Sequence, residues 1–174
     1  MHIIEILESF NSSLQVNWET DNNQLNGYFS VDDRDYKIEI FNTDISFFNA
    51  DFKNLIECSF KGKNKDRQQY TFFGTKTQSA FHSSQVFGTI INSVKDKINF
   101  DDKSILYFTA KNNDGSFESR KKMYQTLSRI LSKKNDLQLE IKTTSQYELY
   151  LLSKLKISNE DIEKLLVLIF EIDN

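Results

Sequence analysis

Apolar residues recur along this chain with two different periods, and the period changes near residue 78. Before that point the pattern is mostly that of strands. Ile3, Ile6, Leu7 and Phe10 stand at helical spacing ahead of Asn11, Ser12 and Ser13, which predicts a short N-terminal helix over residues 1–12. Leu14, Val16 and Trp18 then alternate with polar neighbours, and further extended segments are predicted at 27–31, 36–41, 55–60 and 70–73. Polar turns at 32–35 and 61–66 separate them, so antiparallel hairpins are expected. The stretch 43–52 is too aromatic for an open loop and is expected to pack over the sheet.

After residue 78, Val86, Phe87, Ile90, Ile91, Val94 and Ile98 follow i, i+3, i+4, i+7 steps, the spacing of a helix that lays one stripe on a core. Ser83 or Ser84 is placed to cap its start. The run 105–110 is continuously apolar and predicts a strand buried on both faces. Met123, Tyr124, Leu127, Ile130 and Leu131 give a second helix its stripe, and 137–141 with 147–151 predict a last hairpin. Ser158, with Asp161 three positions on, reads as a capping box before a C-terminal helix over 158–172. The order predicts one α+β domain, 1–174, whose core over 14–152 is a mixed, mostly antiparallel sheet with a helix-strand-helix crossover.

Composition removes several classes of function. There is no proline in 174 residues, so no polyproline ligand or Pro-rich linker. Net charge is −3, so only a local patch could hold nucleic acid. A lone Cys58 and two distant histidines, His2 and His82, exclude an internal disulfide and the usual zinc clusters, and no metal site is expected. The longest apolar run is 165–170, far short of a spanning helix, and the first residues lack the pattern of a secretory leader, so a cytoplasmic location, or a virion, is expected, with no membrane partner.

The element order resembles the GNAT acyltransferase fold, in which a helix, a buried strand and a second helix follow an antiparallel meander. That resemblance covers about residues 14–152 and implies acetyl-CoA as cofactor and the tyrosine of the second helix, here Tyr124, as general acid for the departing thiolate. The sequence departs from the family at two places. Phe117 and Arg120 stand where the family has Asn and Ala before that tyrosine. The expected pyrophosphate turn falls between Gly74 and Gly88, and no glycine lies between them, although such a turn needs glycines to bring backbone N–H groups onto phosphate. Gly74, Thr75, Ser83 and Ser84 are the residues left to serve a cofactor there.

A second resemblance is to small uncharacterised proteins of tailed phages. It rests on Gly74-Thr75, Val86-Phe87-Gly88-Thr89-Ile90-Ile91, Leu106-Tyr107-Phe108-Thr109-Ala110-Lys111 and Arg120-Lys121-Lys122-Met123-Tyr124. It implies no particular activity.

Four groups of residues remain as candidates for function. Arg120, Lys121, Lys122 and Arg129 on the second helix, with Lys61, Lys63, Lys65 and Arg67 in the predicted turn, form a surface for phosphates if the two regions adjoin; otherwise they are solvated faces. His82 beside Ser83 and Ser84 pairs a base with hydroxyls at a helix mouth, but no acid is assigned to orient the imidazole. Asp32, Asp33 and Asp35 could ligate a hard cation or simply make a turn. Leu165, Leu168, Ile169, Phe170 and Ile172 make the C-terminal helix apolar over more than one stripe, for a partner protein or a second copy, or for the N-terminal helix to cover. The expectation is a non-catalytic phage-type protein that acts through protein–protein contacts, as a virion component or a host-directed or anti-defence factor. The alternatives are a divergent acyltransferase and a nucleic-acid-binding accessory protein.

Overall fold

The computed structural model describes residues 14–48, 51–64, 68–71, 80–112 and 117–171. The N-terminal helix expected over 1–12, together with Lys65, Arg67, Gly74, Thr75 and Ile172, lies outside them.

Four strands come first: β1 (Asn17–Asp21), β2 (Gln24–Val31), β3 (Arg34–Asp44) and β4 (Asn54–Asn64). Two-residue loops join β1 to β2 and β2 to β3, and their first residues, Asn22 and Asp32, have φ of 53° and 52°. Asn and Asp tolerate this left-handed backbone, which gives the loop the twist a tight hairpin needs. Helix α1 (Ala80–Lys97), strand β5 (Ser104–Lys111), helix α2 (Phe117–Asn135), strands β6 (Gln138–Thr143) and β7 (Tyr147–Ser153), and helix α3 (Asn159–Glu171) complete the order. The strands make one seven-stranded sheet, β1-β2-β3-β4-β5-β7-β6, antiparallel throughout except for the parallel pair β4 and β5. The chain is therefore α+β, with a mostly antiparallel sheet and three helices among the described residues.

Side-chain alternation splits the core into two. On one face Ile38, Cys58, Phe60, Leu106, Phe108 and Tyr150 meet the stripes of α1 and α2. On the other, Leu55, Ile105, Tyr107, Leu149 and Leu151 meet Ile162, Leu165 and Ile169 of α3, with Ile45 and Phe52 from the segment before β4. The apolar run at 105–110 is thus buried on both sides, because β5 is central and helices cover each face. The aromatic stretch before β4 divides: Phe52 is buried, Phe48 packs on the second core, and Phe47 is exposed.

Local signals set the helix ends only in part. At α3, Ser158 accepts the Asp161 backbone N–H at 3.1 Å and donates its hydroxyl to the Asp161 carboxylate at 2.7 Å, so the predicted serine caps the helix. At α1 the expectation fails. The helix begins at Ala80, so Ser83 and Ser84 are its fourth and fifth residues and do not cap it. Strand β4 also runs past its predicted end, because β3 offers a pairing partner at every position from Asp44 back to Arg34. Lys61 and Lys63 are consequently strand residues and not part of a turn.

Candidate functional site

A gap opens between the two parallel strands. β4 and β5 pair only from Asn54–Ser104 to Glu57–Tyr107, and beyond that β4 continues to Asn64 and β5 to Lys111 without facing each other. Parting strands leave β4 with an edge of backbone N–H and C=O groups that an extended ligand could pair with. In this chain the protein takes those groups itself. Gly62 N–H donates to the Thr71 carbonyl at 3.0 Å, and Thr71 N–H donates back to Gly62 at 3.1 Å. Two residues earlier along the same edge, the Phe60 backbone hydrogen-bonds the Tyr124 hydroxyl.

The Tyr124 ring fills the rest of the wedge. Its centroid is 5.3 Å from Phe60, 5.4 Å from Phe108 and 6.4 Å from Tyr150, and the residue is 1% exposed. Burial pushes its hydroxyl well above the ordinary tyrosine range; the nearby Cys58 adds to the rise, while Arg120 and the Phe60 hydrogen bond only partly oppose it. A phenol held this way is a weaker proton donor than a free one.

At the mouth of α1 the structure supplies what the sequence left unassigned. His82 is buried, and its Nδ1 lies 2.8 Å from an Asp32 carboxylate oxygen while its Nε2 lies 2.7 Å from the Tyr36 hydroxyl. With the Nδ1 proton donated to Asp32, Nε2 is left to accept from Tyr36. The order carboxylate, imidazole, hydroxyl has the logic of a nucleophile relay. Its hydroxyl, however, sits on a residue 1% exposed and stacked at 5.2 Å on Phe29, where no substrate carbon can reach it. The trio ties α1 to the β2–β3 hairpin. The Asp32–Asp33–Asp35 cluster does not hold as a cation site either: Asp32 is spent on His82, Asp35 accepts from Ser30 at 2.7 Å, and no group of three or more metal-ligating side chains occurs among the described residues.

The described members of the two basic regions do not adjoin. Lys61 and Lys63 project from the face of β4 that carries Leu55, whereas α2, with Lys121, Lys122 and Arg129, packs on the opposite face of the sheet. Arg120 is not on a solvated surface at all: it is 4% exposed and its guanidinium hydrogen-bonds the Lys111 carbonyl. Lys121 reaches the buried Glu148 at 3.5 Å, while Lys122 and Arg129 are exposed.

On the other face, Lys37 and Lys61 each hold Glu39 at 2.7 Å, Ser59 donates to the same carboxylate at 3.1 Å, and Lys63 lies over the Tyr70 ring. Burial alone would raise the Glu39 carboxyl, but the two lysines outweigh it and hold it below its ordinary value of 4.5. A depressed carboxylate contributes stability that is fully present above that value and is lost as pH falls through the folded one. The wild-type chain should therefore lose stability in acid more steeply than Glu39→Gln, with the two curves converging at low pH in a series of thermal melts. Parallel curves would remove the assignment.

The apolar tail divides in the same way. Leu165 and Ile169 belong to the chain's own core and do not form a partner surface. Leu168 and Phe170 are half-buried against that core, with Phe170 stacked on Tyr147 at 4.1 Å. Val167, 55% exposed, is the open apolar residue of this helix. The sequence also gave no sign of a groove of about 230 Å³ between Trp18 of β1 and Ser93 and Lys97 of α1, since it joins residues about 75 positions apart. Trp18 lies there because its cross-strand partner is Gly27, where a Cβ would stand 2.7 Å from the indole.

No helix among the described residues is long and apolar enough to cross a membrane. Comparison with protein-family models, with curated proteins and with solved structures finds no match to this chain.

Proposed function

We propose that this chain has a GNAT-like core without acyltransferase chemistry and that it acts through protein–protein contacts, as a phage-type virion component or a host-directed or anti-defence factor. The observation that carries the reading is the wedge between β4 and β5. A parallel pair that opens after four residues is where a GNAT-like core would take its thioester, and here Thr71 occupies the β4 edge while Tyr124 fills the space behind it. The lack of glycine between Gly74 and Gly88 supports the same reading, because the phosphates would find no turn to approach. The phage character rests on the motifs at 74–75, 86–91, 106–111 and 120–124. No cofactor belongs to this function, and the host cytoplasm or the virion is its place.

The rival acyltransferase reading keeps Tyr124 as acid and needs the wedge to open. Thermal unfolding with millimolar acetyl-CoA separates the two. A ligand at 100 times its dissociation constant stabilises by about 2.7 kcal/mol, which for a chain of this size raises the melting temperature by roughly 5–10 °C. The expected result is an unchanged melting temperature; a rise of that size overturns the proposal. The nucleic-acid alternative has less support, since the sheet separates Lys61 and Lys63 from Lys121, Lys122 and Arg129.

A further inference from the structure

The protein contact can be placed, on the reading that the chain works by contact at all. Strand β6 is an outer strand: β7 pairs with one side of it, and its other side carries no strand among the described residues. An open edge of six residues without glycine or proline is a template for another strand. Its side chains alternate. Leu139, Ile141 and Thr143 point to the α2 face, where Ile141 is 37% exposed, one of the few large apolar side chains so open. Glu140 and Lys142 point to the α3 face, opposite Leu151 and Leu149 of β7, and among the described residues neither has an ion-pair partner. By contrast, Lys37 on β3 and Lys61 on β4 are both matched by Glu39.

We infer that β6 pairs antiparallel with β6 of a second copy of this chain, about a two-fold axis at Ile141. Charge complementarity selects the register. With Ile141 opposite Ile141, Glu140 of each copy faces Lys142 of the other, so both unpaired charges are matched twice, and Leu139 faces Thr143 on the apolar side. Moving the axis by one residue, a register shift of two, destroys this: centring on Glu140 sets carboxylate on carboxylate, and centring on Lys142 sets ammonium on ammonium. A two-fold axis makes the surface self-complementary and closes the assembly at two copies. Five paired positions, 139–143, with a small apolar contact make a small interface, so the dimer is in reversible exchange with monomer.

Analytical ultracentrifugation over a concentration series tests it. The wild-type mass should rise toward twice 20.4 kDa. Glu140→Lys and Lys142→Glu should each weaken association about tenfold by setting like charges opposite, and the double swap Glu140→Lys/Lys142→Glu should restore it. Ile141→Cys should form a disulfide-linked dimer under mild oxidation, since directly opposed strand positions lie within disulfide reach. Cys58 is buried and does not compete. A monomer at every concentration, a dimer indifferent to both single swaps, a double swap as weak as the singles, or a dimer broken by Val167→Asp but not at β6 would each overturn the inference. None of these touches the acetyl-CoA result, so failure here leaves the absence of acyl transfer standing, and a thermal shift there leaves this interface standing.

Discussion

Tyr124→Ala is expected to lower the free energy of unfolding by about 3–5 kcal/mol, the cost of emptying a large aromatic site in a core that cannot collapse onto it. The ring is held by Phe60, Phe108 and Tyr150 on three strands, and those strands are fixed by their own ladders, so the hole stays open. Tyr124→Phe keeps the ring and loses one hydrogen bond from the Phe60 backbone, at a cost of about 1 kcal/mol. Urea unfolding of the two variants gives both numbers. The pattern matters more than either value, because a general acid and a plug respond in opposite ways: the acid is abolished by Phe as by Ala, whereas the plug tolerates Phe. An alanine variant as stable as the wild type would mean that the wedge is not filled from α2, and the case against a cofactor there would lose its main support.

Leu165→Ala should cost about 2–5 kcal/mol, while Val167→Ala on the same helix should stay within about 0.5 kcal/mol of wild type. Leu165 is fully buried among the residues of the second core, and Val167 is 55% exposed. The pair measures whether α3 is a docked part of the domain or a surface waiting for a partner. Equal, small effects would return the helix to the second role. With α3 docked, its stripe of Ile162, Leu165 and Ile169 is used up internally, which moves the search for a partner surface to Ile141 and the open edge of β6.

The site was less legible than the fold, for a reason visible in particular residues. Asp32 looked like turn chemistry and His82 like a base without an acid; they meet across 50 positions, and Tyr36 joins from 46 positions away. Lys61 and Lys63 looked like a basic turn because polar residues follow them, yet β3 is long enough to keep β4 extended through both. Arg120 belongs by spacing to an exposed basic run, but it stands one turn before Tyr124 on the stripe that faces the sheet, and the Lys111 carbonyl receives it there.

By itself the sequence determined the elements and their class: strands where apolar residues alternate, helices where they recur at three and four, the run at 105–110 buried on both faces, and the Ser158 cap of α3. These are local facts, because backbone period and capping depend on neighbours a few positions apart. Only the tertiary structure decided that Tyr124 and Thr71 close the gap between β4 and β5, that Lys61 and Lys63 lie on the opposite face from Lys121, Lys122 and Arg129, and that Leu165 faces inward while the outer side of β6 carries no strand among the described residues. Those outcomes follow from which strands pair and which face each helix covers. Such choices are fixed by contacts between residues tens of positions apart, for which no local period carries a signal.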